Sequence, residues 1–223
     1  IQKEFIMITK QIRNLTKEKI INTAMKQLAA GGLAKLSLRK IASELNVQVS
    51  ALYNHFPKKQ TLIIALQSHY LASSDHFLAI NFETLSWQDF LNDIATTTRN
   101  EFLTHPFALE LFASHSSDSK ESALHFEKYL QKMLDFGFTL HHAAQISQTI
   151  YTYTCGFTNF ELGILNSQTD NEISPTLSSA IKEMTPLGTK FHAEYSFNFD
   201  RDFAFGINSL IAGFSQYLDG ITK

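Results

Sequence analysis

The sequence predicts an all-α protein in two parts, an N-terminal helix-turn-helix unit over residues 1–60 and a larger helical domain over residues 61–223. Three observations carry that reading. Apolar residues recur at three- and four-residue spacing in one stretch after another, as amphipathic helices require. Only 4 Pro and 9 Gly occur in 223 residues, too few for a turn-rich β fold. Charge is also divided. Residues 1–60 carry eleven Lys/Arg against three Glu, a net of +8, while residues 61–223 carry a net of −10. The basic end can neutralise phosphates, whereas the acidic remainder cannot lie along a nucleic acid.

The first helix is expected from about Thr16, a good cap, to Ala30, with Ile20, Ile21, Ala24, Met25 and Leu28 on one stripe. Gly31-Gly32 ends it. Ser37 caps the second, whose apolar face is Leu38, Ile41, Ala42 and Leu45. Asn46 tolerates the left-handed conformation that stops a helix, and Val47 is expected to be buried in the turn. A third helix follows from about Gln48 to His55, with Val49, Leu52 and Phe56 inward. Its other face carries Ser50, Ala51, Tyr53, Asn54 and His55, small or hydrogen-bonding groups suited to base edges and phosphates. This is the layout of a DNA-binding helix-turn-helix, against the alternative of an ordinary helix pair in a helical core. Pro57 stops the third helix. A fourth is expected from Lys58 to about Ile80, with Leu62, Ile63, Leu66, Tyr70 and Phe77 buried, long enough to join the two parts.

Residues 136–160 contain no Asp, Glu, Lys or Arg, but their His, Gln, Thr and Asn content argues against a membrane span. The single Cys155 excludes an internal disulfide and fits a reducing, cytoplasmic setting; a small buried residue is its expected role, with a nucleophile as the alternative. Residues 1–15 lack the apolar core of a signal peptide, and Met7 is a candidate start with Ile1–Ile6 preceding it. Phe191, Tyr195, Phe197 and Phe199 read as an aromatic flap rather than a strand.

The segment from Thr16 to Leu66 resembles the N-terminal domain of the TetR family of bacterial regulators. The residues that carry the resemblance are Ile20, Ala24 and Leu28, the Gly31-Gly32 turn, Leu36 to Ala42, and Val47 through Ala51-Leu52-Tyr53-Asn54-His55-Phe56. Ser86 to Leu91, Gly137 to Leu140 and Phe203 to Ile207 are similar to the ligand-binding domain of the tetracycline-repressor branch of that family. The resemblance implies further helices at about 86–104, 106–114, 119–136, 140–165, 175–186 and 201–219. It also implies a homodimer built on the eighth and last helices. Each of these carries glycines seven apart, Gly156 and Gly163, then Gly206 and Gly213, which return to one side of a helix and open a strip for another backbone.

The resemblance assigns Arg39 to a base, with phosphate as the alternative, and Ser50, Ala51 and Asn54 to bases. It assigns Ser37, Tyr53, His55 and Lys59 to phosphates; packing on the first helix is the alternative for Tyr53. Gln48-Val49 departs from the Ser or Thr that often opens this helix in the family. For the ligand, the branch grips a magnesium–drug chelate with polar side chains. Ile94 stands at its Asn position, Phe112 at its metal-binding His, His115 at its Thr, Asp75 at its drug-contacting His, and the acidic partner falls near Phe160-Glu161. The polar grip is mostly replaced by bulky apolar groups, so a small, largely apolar or aromatic effector is expected. Its walls are expected at Asp75, His76, Thr98, Phe102, Phe112, His115, Tyr153, Phe157 and Phe160, between the fourth, fifth, sixth and eighth helices. No metal motif, phosphate loop or nucleophile motif occurs, so no cofactor and no enzymatic activity are expected.

The expectation is a homodimeric, ligand-responsive repressor that binds a double-stranded DNA operator. Its rivals are an activator or corepressor-dependent regulator with the same contacts, or a helical small-molecule binder that no longer reads DNA.

Overall fold

The computed structural model describes residues 15–74, 80, 83, 86–113, 119–169, 187, 190, 194–195 and 198–221. Among these no strand occurs. Helix α1 is Lys17–Gly31, capped by the Thr16 hydroxyl, which accepts from the Lys19 amide. Its stripe of Ile20, Ala24 and Leu28 is fully buried. Gly32, at φ 67 and ψ −172, reverses the chain into a 3-10 turn, Leu33–Lys35. This backbone region is essentially open to glycine alone.

Helix α2 is Leu38–Glu44 and α3 is Val49–Tyr53, joined through Asn46 at φ 54. Helix α3 is shorter than expected, because the His55 amide bonds the Leu52 carbonyl and tightens the last turn. Gln27, buried on α1, ties the pair together. Its side chain donates to Glu44 at 2.9 Å and accepts from the Ser37 amide at 3.2 Å. Val47 is only half-buried, packed on the edge of this core.

Helix α4 is Lys59–Ser73, a rod of about 22 Å. It stops well short of Ile80. Ser73 turns its hydroxyl back onto the His69 carbonyl, and Ser74, in extended backbone, donates to Glu101 instead of continuing the helix. The remaining helices are α5 Trp87–Thr104, α6 Pro106–Ala113, α7 Lys120–Asp135, α8 Leu140–Thr169 and α9 Phe199–Ile221. The helix expected at 175–186 lies outside the described residues. Tyr195, beside the start of α9, donates to Asp202, and Phe199 already belongs to α9; Phe191 and Phe197 of the expected flap lie outside the described residues.

Helix α8 is the axis of the second part and packs on α5, α6, α7 and α9. Its core joins Phe90, Leu91, Tyr129, Met133, Ile146, Ile150, Phe203 and Ile207. Helix α6 belongs to both parts. It packs on α1, α4 and the 3-10 turn as well as on α5 and α8, and its fully buried Leu111 completes the N-terminal core. Among the described residues no helix is long and apolar enough to cross a membrane.

Candidate nucleic-acid interface and ligand site

At one end of the molecule α2 and α3 present an exposed polar face. Arg39, Ser50, Asn54 and Lys59 are exposed, Tyr53 is 49% exposed, and His55 is half-buried. The Ser37 hydroxyl caps α2 by accepting from the Lys40 amide at 3.4 Å. Ala51 is a correction. It is only 6% exposed and packs in the N-terminal core, so it cannot meet a base. A methyl-sized side chain there lets α3 settle closely on the helices behind it.

The expected ligand walls divide. Thr98 lines a small, partly open cavity of about 70 Å³ between α5, α7 and α8, with Ile94, Tyr129, Ile150 and Tyr151 among its neighbours. The other described walls are corrected. Phe102 is packed solid with Tyr70, Ala108 and Leu109, and the Phe112 ring sits 6.0 Å from Tyr70. Tyr153 and Phe157 turn to the opposite side of α8, where their rings lie 5.6 and 5.3 Å from Phe203 of α9. Phe160 is 47% exposed. Asp75, His76 and His115 lie outside the described residues.

A larger space of about 490 Å³ lies between α6 and α8. Leu109, Glu110 and Ala113 face Gln148, Tyr151, Thr152, Cys155, Gly156 and Asn159 across it. This volume falls within the range of small-molecule sites, whereas about 70 Å³ does not. Tyr151 borders both spaces. Burial pushes the pKa of its hydroxyl up, with the neighbouring Cys155 adding to the shift. Burial likewise pushes the Cys155 thiol up, partly offset by Tyr151. A neutral, buried thiol is a poor nucleophile.

Buried charged side chains anchor this scaffold. Arg99 makes a two-point contact with Glu161, at 2.8 and 2.7 Å, and a third bond to Asp200 at 2.8 Å. Burial opposes its charge, but the bonds to Glu161 and Asp200 outweigh that and raise its pKa. Glu101, at the end of α5, accepts from the Tyr70 hydroxyl and from Ser74 at 3.0 Å, tying the end of α4 to α5. Burial and this carboxylate push the Tyr70 hydroxyl well above its usual range. The residues do not fit a magnesium–drug chelate. Phe112 offers no ligand atom at the His position, and the Glu161 carboxylate is engaged by Arg99.

Sequence reasoning missed Glu110, Tyr151, Gln27 and Arg99. Arg99 and Gln27 sit at core-facing positions of their helices, and a polar residue on an apolar stripe was the available signal.

Comparison with known proteins agrees with this architecture. Residues 20–66 match the family model of bacterial regulatory proteins of the tetR family, and residues 82–218 match the tetracyclin repressor-like C-terminal domain. The tetracycline repressor protein class E of Escherichia coli is 30% identical over 207 residues, covering 92% of this chain and 93% of that repressor. Class D from the same organism is 25% identical over 211 residues, covering 94% and 93%. Among solved structures, a single-residue variant of TetR from Acinetobacter baumannii AYE, in complex with minocycline, is 25% identical with a TM-score of 0.67, covering 91% of this chain and 98% of that one. ActR of Streptomyces coelicolor, in complex with actinorhodin, shares the fold at 21% identity and a TM-score of 0.72, covering 89% and 96%. The chain belongs to the TetR family, as a ligand-responsive, non-enzymatic transcriptional regulator with an N-terminal DNA-binding domain and a C-terminal ligand-binding domain.

Proposed function

We propose that the protein is a cytoplasmic repressor that grips a palindromic operator as a homodimer and releases it when a small, largely apolar or aromatic molecule enters the space between α6 and α8. Residues 1–60 supply the DNA contacts and residues 61–223 the ligand and dimer contacts. One observation carries the reading. Helix α6 lines the groove on one side and places Leu111 in the core of the helix-turn-helix unit on the other. A ligand that displaces α6 therefore acts on the part that reads DNA.

Arg39 is assigned to a base and Ser37, Tyr53, His55 and Lys59 to phosphates, with Ser50 and Asn54 on bases. Dimerisation is supported by open helix faces. A methyl group on Gly156, Gly163 or Gly213 would meet nothing within 4 Å, and Phe160 and Phe205 stand exposed beside them. Gly206 departs from the expected strip, since it packs under the Tyr153 ring of its own chain. In the dimer, two recognition helices must stand about 34 Å apart, one turn of DNA. The ligand must favour the form with the wrong separation, since equal affinity for both forms shifts nothing. A hundredfold loss of DNA affinity requires about 2.7 kcal/mol of coupling.

The test is a gel shift on the DNA upstream of its own gene. Wild type should form a salt-sensitive specific complex, and Arg39→Ala should weaken it by about 1–3 kcal/mol and relax preference at one base per half-site. Specific binding that is unchanged in Arg39→Ala would overturn the assigned reading face.

A further inference from the structure

We infer that Glu110 is the point where ligand and DNA-binding unit meet, and that the groove takes a ligand with a cationic nitrogen on an apolar body. The inference rests on the groove being the effector site. Among the described residues that line the groove Glu110 alone carries a charge, and Leu109, Ala113 and the Tyr151 ring supply apolar surface beside it. Gln148, Thr152 and Asn159 add neutral hydrogen-bonding groups, so among the described lining residues the charge to be matched is a negative one.

The same carboxylate is already in use. Glu110 Oε2 accepts from the Leu33 amide at 2.6 Å, the first amide of the 3-10 turn that follows α1. The fit is close, because a Cβ built on Gly32 would fall 2.5 Å from Oε2 and 2.6 Å from Oε1. Gly32 therefore serves two needs at once, a glycine-only backbone and room for the carboxylate. From Leu33 the chain runs through Leu36 directly to Ser37, the cap of α2, and to Arg39.

A cation in the groove competes for this carboxylate. The bond to Leu33 already uses an ionised acceptor, but an ammonium group brings a full positive charge where the amide brings only a partial one, so it draws Glu110 away from Leu33. The turn is released, and with it the start of α2. A neutral ligand of the same shape fills the groove without that pull. The groove thus converts ligand charge, not only ligand volume, into a signal.

The test uses the full chain and three probes with one naphthalene body: 1-naphthylmethylammonium, 1-naphthylmethanol and 1-naphthoate. Calorimetry gives affinities, and the Leu33 amide resonance reports the bond to Glu110. The ammonium probe should bind about tenfold tighter than the alcohol. Glu110→Gln, which keeps an acceptor oxygen at an exposed position and so spares the fold, should erase that preference. The Leu33 amide proton should move upfield both in Glu110→Gln and in ammonium-saturated wild type. A cation preference that survives Glu110→Gln, or a Leu33 resonance that ignores the bound ammonium, overturns the inference. If the alcohol or naphthoate binds as well as the ammonium, and Thr152→Trp blocks it, the cation inference alone falls. If no probe binds at millimolar concentration, or Thr152→Trp leaves every affinity unchanged, the effector reading of the groove falls with it.

Discussion

Arg99 holds three helices through one guanidinium. It leaves α5, meets Glu161 of α8 with two bonds and Asp200 of α9 with one, and lies 5.0 Å from the centre of the Phe203 ring. Arg99 and Glu161 are each 5% exposed, while Asp200 is 90% exposed. The first pair therefore acts in a low dielectric and the second is screened by water. Removing one buried partner strands the other charge. Glu161→Gln should lower stability by about 3–5 kcal/mol in urea unfolding, and Arg99→Met with Glu161→Met should recover most of the loss. A loss under about 1 kcal/mol in Glu161→Gln would mean that water reaches the pair.

At the scale of elements, α4 is held at its far end by Tyr70, whose hydroxyl meets Glu101, and by Ser74. Tyr70→Phe removes one of the bonds to a carboxylate that is 1% exposed. It should cost about 1–3 kcal/mol in urea unfolding and blunt the effector response, since α4 then moves without α5. Unchanged stability would show that the joint bears no strain. The starts of α1 and α2 were legible in the sequence because Thr16 and Ser37 each cap with a side-chain oxygen; Ser86 caps α5 in the same way, though that start was expected from the resemblance. The end of α4 was not, because no Gly or Pro marks it and the stop is made by serines bonding elsewhere. Ala51 misled because a small residue suits either face of α3. The expected ligand walls on α8 misled in a different way. Tyr153 and Phe157 serve the contact with α9, and the open space lies along the Gln148, Thr152 and Gly156 side.

At the scale of the whole molecule, the proposed dimer carries two recognition faces on one rigid frame. Among the described residues, the open faces of α8 and α9 are the surfaces proposed to form it. Gly213→Leu should drive the dimer to monomers in sedimentation and weaken operator binding, because the two half-sites are then bound independently. Wild-type monomers at micromolar concentration would sink the dimer. Gly156 borders both the open face and the groove, so in the proposed dimer assembly and ligand entry would share an edge. A ligand that bridges that edge would make its own affinity depend on protein concentration.

Trp87 has an optical consequence. It is the only tryptophan in the chain, and it stands half-buried at the start of α5 with its ring 5.4 Å from Phe138, edge to face. Its emission therefore reports the packing of the second part and is blind to α1, α2 and α3. Far-ultraviolet dichroism counts every helix. When denaturant is added, the two signals coincide only if Leu111, seated in the N-terminal core, binds the halves into one cooperative unit. If the dichroism falls first, the DNA-reading helices melt while the frame that carries them still glows unchanged.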